Sequence, residues 1–174
     1  MTFTLRDYRL GYAIWAAYRA AQAGSSKANG KELSAALKNC GVVSYIDNYD
    51  GSEITPQTYK EKHDDWCAAV IKYIRDNFKK EITYGIAAKL LAIFMKGYFI
   101  LANNEAQPLS KVAHPPIDSF LLKGIDKENG TKLDKEYKWQ KLDKDKYYEL
   151  LTNLKNHLGE NEEFWKIEKY WKLS

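Results

Sequence analysis

Apolar residues recur at spacings of three and four along most of the chain, which is the pattern of helices with one buried face. Asp7, Thr55 with Pro56, and Asp118 stand where helix-starting residues are expected. Alternating, strand-like patterning is weak throughout. The sequence therefore predicts an all-α fold, a compact bundle of about six to eight helices in one domain spanning residues 1–174. The predicted helices cover residues 7–24, 31–38, 56–78, 82–103, 119–125, 144–158 and 164–171.

Four stretches between these helices lack a helical pattern, and the first is the loop GSSKANG at residues 24–30. Residues 41–54 are expected to be irregular with some extended character, and residues 103–116, with three of the four prolines, are expected to form a loop. A charged loop is expected around Asn129–Gly130. No internal repeat and no heptad run is present.

Composition limits the class of protein. With 174 residues, 45% apolar and 29% charged, the chain suits one globular domain and excludes disordered and fibrous proteins. The charge of +4 gives only mild attraction to a polyanion. Two cysteines, Cys40 and Cys67, are too few for a four-cysteine zinc site and fit a reduced intracellular setting. The N-terminal segment has charges where a secretory signal would be apolar, so we expect a cytoplasmic protein.

The longest apolar segment, residues 82–102, contains two lysines. Because lysine is costly in the middle of a bilayer, this segment is expected to be a buried core helix. Lys89 and Lys96 are seven residues apart, so on a helix they lie within roughly 20° of one another and about 10 Å apart along the axis. Each ammonium either reaches the surface along its own stem or is held in a pocket, where burial lowers the pKa and yields a nucleophilic amine.

The sequence HPPID gives Asp118 a fixed position at a helix start, because two prolines restrict the preceding backbone. Two roles are open for this residue. Asp118 could simply cap the helix, or it could be a catalytic carboxylate that the helix N-terminus keeps ionised. His114, just upstream, either contacts a phosphate or closes the loop.

Other motifs exclude several chemistries. His63 and Cys67 are one helical turn apart and His157 precedes Glu160 by three residues, but neither pair has an evident third ligand, so no metal site is expected. Patterns of the GxGxxG, GxxxxGK[ST] and GxSxG kind are absent, which argues against the common nucleotide-binding and acyl-transfer enzymes.

In combination, the segments AAKLLAIFMKGY and AHPPIDSFLL resemble the helix-hairpin-helix DNA glycosylases, and most nearly the archaeal-type 8-oxoguanine DNA glycosylase branch. The resemblance covers residues 84–122 and places Lys89 and Asp118, 29 residues apart, at the family's lysine and aspartate. Gly85 corresponds to the glycine of the hairpin that precedes the lysine, and Ser119 stands where the family often has an arginine.

The resemblance implies a helix-hairpin-helix fold, compatible with two lobes flanking an active-site cleft. It implies a DNA glycosylase, with or without AP-lyase activity, that flips a damaged or modified base, first of all an 8-oxoguanine-like purine, out of double-stranded DNA. Lys89 would be the Schiff-base nucleophile, and Asp118 would stabilise the cation at C1′. Lys96, Gly85, His114 and Ser119 would bind DNA or support the site. The expected protein is a monomer without cofactor, metal or membrane, associated with the nucleoid of a prokaryote.

Two alternatives remain open on the sequence. The chain could be a non-catalytic helical module that binds DNA or a protein, in which Lys89 extends to the surface and Asp118 is a plain cap. It could also be an enzyme that uses Lys89 in Schiff-base chemistry on a small carbonyl substrate.

Overall fold

The computed structural model describes residues 2–22, 27–102, 105–160 and 162–172, and these ranges contain helices and no strand. The predicted all-α class is confirmed. Nine α-helices and three 3-10 helices lie within the described ranges, more than expected, because three short helices occur where loops were predicted. The α-helices are α1 Leu5–Gln22, α2 Gly30–Asn39, α3 Val42–Asp47, α4 Pro56–Phe78, α5 Tyr84–Tyr98, α6 Pro108–Val112, α7 Ser119–Asn129, α8 Leu133–Glu136 and α9 Lys144–Lys155, and the 3-10 helices are Ile100–Ala102, Trp139–Lys141 and Phe164–Tyr170.

The centre of the fold is α5, which packs most extensively against α1 and also contacts α4, α2 and α9. Small residues permit the close approach of α1, since a Cβ on Gly97 would lie 3.3 Å from the Cβ of Ala13. Tyr84–Ala102 is long and apolar enough to cross a membrane, but most of it is buried within the fold. The prediction of a buried core helix is therefore confirmed.

Side-chain caps set most helix starts. Asn29 and Glu32 form a capping box at α2, and the hydroxyls of Thr55 and Thr83 accept from backbone amides three residues on. The first helix differs from prediction. It begins at Leu5, and Asp7 accepts hydrogen bonds from the backbone and hydroxyl of Thr4 instead of occupying the cap position itself. The predicted ends at Gly24 and Asn103 fall outside the described residues.

The short helices form for tertiary reasons. In α3, Val42 and Ile46 are one turn apart and both buried, so packing overrides the weak helix preference of β-branched residues. Pro108 at the first position and a buried Leu109 stabilise α6 within the expected loop. The α8 start is held by Asp126, whose carboxylate accepts from the amides of the two residues that open it, at 2.6 and 3.0 Å.

Candidate active site

Lys89 lies in the middle of α5, on the most buried helix of the fold, and only 5% of its side chain is exposed. Its ammonium therefore does not extend to the surface. Nζ instead lies 3.2 Å from Oδ2 of Asp118, to which it donates a hydrogen bond. The two residues that the sequence singled out are thus an ion pair in the folded protein.

Asp118 both caps α7 and pairs with Lys89. Its Oδ1 accepts from the backbone amide of Leu121 at 3.0 Å, as in an ordinary N-cap. Its Oδ2 accepts from Lys89, and the side chain is 16% exposed. Pro115 and Pro116 ahead of it are both buried, which holds the helix start in place against the core. The two roles considered for Asp118 are therefore compatible.

Two tryptophans that the sequence did not single out complete the surroundings of the pair. The ring centre of Trp139 lies 4.2 Å from Lys89 Nζ, a cation–π distance. The indole of Trp171 donates from Nε1 to Asp118 Oδ2 at 3.2 Å, and its ring contacts Phe120 edge-on with ring centres 6.1 Å apart. Aromatic residues make up 14% of the sequence, but that share does not indicate a position for either tryptophan.

Gly85 brings Trp139 to the pair. A Cβ on Gly85 would lie 2.0 Å from the carbonyl oxygen of Trp139, so only glycine permits this approach of backbones. The amide of Gly85 donates to the carbonyl of Leu142 at 3.0 Å. This amide is therefore already engaged within the protein, and Gly85 supports the site by letting the Trp139 backbone pack against α5.

Burial dominates the electrostatics of Lys89. Desolvation lowers the pKa of its ammonium below the usual value, and the charge and hydrogen bond of Asp118 only partly oppose this. The amine is thus easier to deprotonate than a surface lysine, which is what a nucleophilic lysine requires.

Lys96 lies about two turns after Lys89 on the same face of α5 and forms a separate ion pair with Glu168. Burial raises the pKa of Glu168, Lys96 lowers it, and the nearby negative charge of Asp118 raises it further. The pair borders a cavity of about 350 Å³ whose other walls include Ile100, Leu101 and Trp165. The indole nitrogen of Trp165 is buried and has no hydrogen-bond partner among the described residues.

The C-terminal 3-10 helix Phe164–Tyr170 and the residue that follows it lie over both Lys89 and Lys96. A 3-10 helix has three residues per turn, so Trp165, Glu168 and the following Trp171 lie in one row. Trp165 borders the Lys96 cavity, Glu168 pairs with Lys96, and Trp171 bonds Asp118. The sequence predicted a helix here but not its type, and this periodicity of three is what aligns the row.

Of the other predicted site residues, Ser119 lies beside the Lys89–Asp118 pair and His114 lies apart from it. Ser119 is the first residue of α7 and follows Asp118 directly. His114 packs against the ring of His63, with ring centres 4.5 Å apart, and its Nδ1 lies 3.3 Å from the Tyr147 hydroxyl. It borders a different cavity, which lies beside the start of α4.

His63 and Cys67 belong to the core. The imidazole of His63 stacks on Tyr147 with ring centres 5.5 Å apart, and the free thiol of Cys67 lies 3.8 Å from its Nδ1. Beside them, Asp64 accepts hydrogen bonds from the hydroxyls of Tyr84 and Tyr148. Within the described ranges no group of three or more histidine, cysteine or acidic side chains could hold a metal ion.

Comparison with known proteins found no match to this chain among protein-family models, curated proteins or solved structures.

Proposed function

We propose that this protein is a DNA glycosylase with AP-lyase activity, in which Lys89 is the nucleophile and Asp118 its acidic partner. The observation that carries the proposal is the 3.2 Å contact between Lys89 Nζ and Asp118 Oδ2 across 29 residues of sequence. The motif spacing supplies the family resemblance, and the contact supplies the geometry that such chemistry needs.

The proposed reaction uses both groups directly. As the glycosidic bond breaks, its electron pair leaves with the base and positive charge develops at C1′, which the Asp118 carboxylate stabilises. Lys89 first gives one proton of its ammonium to the departing base. The neutral amine then forms a bond to C1′, and Oδ2 of Asp118 accepts the next proton that the nitrogen loses and passes it to the ring oxygen. Opening of the sugar ring then gives a Schiff base, from which β-elimination cleaves the strand.

A substrate can reach Lys89 only if the C-terminal segment that lies over it, including Trp171, moves away. The ammonium is almost fully buried, whereas Trp171 is 39% exposed and Phe120 is 44% exposed. These two rings stand at the outer side of Asp118, where a base leaving the duplex could stack on them. We propose that an extruded nucleotide displaces Trp171 from Asp118 Oδ2 and so reaches the amine.

The cavity beside Lys96 suits a nucleobase. Its walls are largely apolar, and the Glu168 carboxylate on its border supplies an acceptor for the edge of a ring. An 8-oxoguanine-like purine in double-stranded DNA remains the first substrate to test, on the strength of the motif resemblance.

Base release from duplexes that carry a panel of lesions tests the proposal. Asp118→Asn keeps a capping side chain but removes the carboxylate charge, so we expect base release to be lost while the fold survives. The matched control is Asp143→Asn, because Asp143 caps α9 in the same way, accepting from the Lys146 amide at 2.9 Å. Full activity in Asp118→Asn, or equal losses in both variants, would contradict the proposal.

A second candidate, a module that binds a partner protein, is favoured by one surface. Leu5, Tyr8, Tyr12 and Trp15 fall on one face of α1, and each is at least 50% exposed. The rings of Tyr12 and Trp15 lie 5.8 Å apart. This function would replace the first if wild-type protein released no base from any duplex of the panel while substitution of Tyr12 and Trp15 abolished binding to an isolated partner.

A further inference from the structure

A cavity of about 650 Å³ lies away from the Lys89–Asp118 pair and shares no residue with it. It opens between the start of α4, α6, the last turns of α9 and the chain that follows. Its volume is within the range of roughly 300 to 1,000 Å³ that small-molecule sites occupy. The residues that give it chemical character are Lys60, Lys111, His114, Tyr148, Lys155 and Phe164.

The cavity is positively charged. Among the residues that the structure describes, no carboxylate lies within ion-pair distance of Lys60, Lys111 or Lys155. The carboxylate on its wall, Glu162, already accepts from the Gly159 amide at 2.8 Å and from Lys169 Nζ at 3.0 Å. Three ammonium groups thus border one concave space and form no ion pair there, although the charge of Lys111 reaches the nearby Glu163 carboxylate.

Aromatic rings hold two of these ammonium groups. Lys60 Nζ lies 4.5 Å from the ring centre of Tyr148, and Lys155 Nζ lies 5.3 Å from that of Phe164. Since the ammonium groups already occupy these ring faces, a ligand would be recognised by charge and not by stacking on the rings.

The start of a long helix also favours an anion. Pro56 and Gln57, the first residues of the 23-residue helix α4, line the cavity, and the N-terminus of a helix carries partial positive charge. Burial lowers the pKa of His114 well below its usual value, and His63, Lys155 and Lys60 lower it further, so the ring on this wall is a neutral polar group.

We propose that this cavity is a phosphate-binding site, which accepts either a small phosphorylated molecule or a phosphate of a DNA backbone. The inference is independent of the proposed glycosylase function, because the two sites have no residue in common. Lysine ammonium groups bind phosphate as point charges, and three of them around one cavity match the several oxygens of a phosphate or pyrophosphate group.

Titration with inorganic pyrophosphate tests the site. Lys60→Gln with Lys155→Gln should weaken pyrophosphate binding by about tenfold or more, because each lysine contributes a charge-assisted contact. The matched control is Lys72→Gln with Lys146→Gln, which removes two exposed lysines from the same helices, α4 and α9. Its net charge equals that of the Lys60→Gln, Lys155→Gln protein. Its affinity should stay within about twofold of wild type.

The position of binding is read from the His114 ring resonances, which should shift on addition of pyrophosphate to the wild type and not to the Lys60→Gln, Lys155→Gln protein. No saturable binding by the wild type, an equal loss of affinity in the control, or unchanged His114 resonances in the wild type would overturn the proposal.

Duplex DNA distinguishes the two sources of phosphate. If the site contacts a backbone, the Lys60→Gln, Lys155→Gln protein should bind duplex more weakly, and the slope of log affinity against log salt should fall by about 2. If only pyrophosphate binding is lost and duplex binding is unchanged, the site serves a small phosphorylated molecule.

Discussion

Asp118 uses its two carboxylate oxygens for different purposes. Oδ1 satisfies a free amide at the start of α7, while Oδ2 faces Lys89 and the indole of Trp171. Lys89 and Asp118 could be identified from the sequence because their spacing and the double proline before Asp118 can be recognised without knowing the tertiary structure. It could not indicate Trp139 or Trp171, which reach the pair only through tertiary contacts of segments with no distinctive local pattern.

At this scale we predict strong coupling between Lys89 and Asp118. Asp118→Asn should lower the free energy of unfolding by about 3 kcal/mol, because it leaves a buried ammonium without its counter-charge. In a Lys89→Met background the same substitution should cost less than about 1 kcal/mol, since no buried charge remains. Urea denaturation of the four proteins measures this, and an equal cost of Asp118→Asn in both backgrounds would contradict the pairing.

The elements around the pair are placed by close backbone contacts. Gly85 lets the 3-10 helix Trp139–Lys141 approach α5, and Gly124 does the same for the C-terminal segment, since a Cβ there would lie 1.9 Å from the Tyr170 carbonyl oxygen. The long helices α1, α4 and α5 were predictable from periodicity and caps. The short ones were not, because their stability comes from packing and from distant carboxylates such as Asp126.

Gly85→Ala tests this placement. The new Cβ would force the Trp139 backbone away, so we expect a loss of about 2 to 3 kcal/mol in unfolding free energy and weaker covalent capture of DNA by Lys89. Gly11→Ala is the matched control in a helix, because no atom lies within 4 Å of its Cβ, and it should stabilise the protein by about 0.5 to 1 kcal/mol. Equal stability of the two variants in thermal or urea unfolding would show that the close contact is not required.

For the molecule as a whole, the all-α class followed from composition and periodicity, whereas the arrangement of the cavities did not. The cavity that contains Lys60, Lys111 and Lys155 draws on three helices that are distant in sequence. The sequence positions of these three lysines do not predict that they border one cavity. The same holds for the cluster of His63, His114 and the tyrosines, in which a buried and a half-buried histidine are both kept uncharged.

That cluster predicts how stability depends on pH. Burial lowers the pKa of His63 to about 4, below the value of about 6.5 expected in the unfolded chain. Between these two pKa values the unfolded state binds a proton at His63 that the folded state does not bind. The contribution of His63 to the free energy of unfolding, about 3 kcal/mol above pH 6.5, is therefore lost as the pH falls toward 4.

His63→Phe keeps an aromatic ring in this position and removes the titrating group. The free energy of unfolding of the variant should fall less steeply between about pH 6.5 and 4 than that of the wild type, by up to about 1.4 kcal/mol per pH unit. Urea denaturation across this range gives both slopes. Parallel curves for the two proteins would mean that His63 takes up its proton equally in the folded and unfolded states.

The central claim, that Lys89 is a reactive amine and not only half of an internal ion pair, is tested most directly by borohydride trapping on duplexes with a panel of lesions. A Schiff base between Lys89 and C1′ would be reduced to a stable protein–DNA adduct. We predict an adduct with the wild type and with Lys72→Gln, which changes an exposed lysine of α4 away from the site, and none with a folded Lys89→Gln protein. No adduct with the wild type on any lesion, or an adduct that persists in Lys89→Gln, would contradict it.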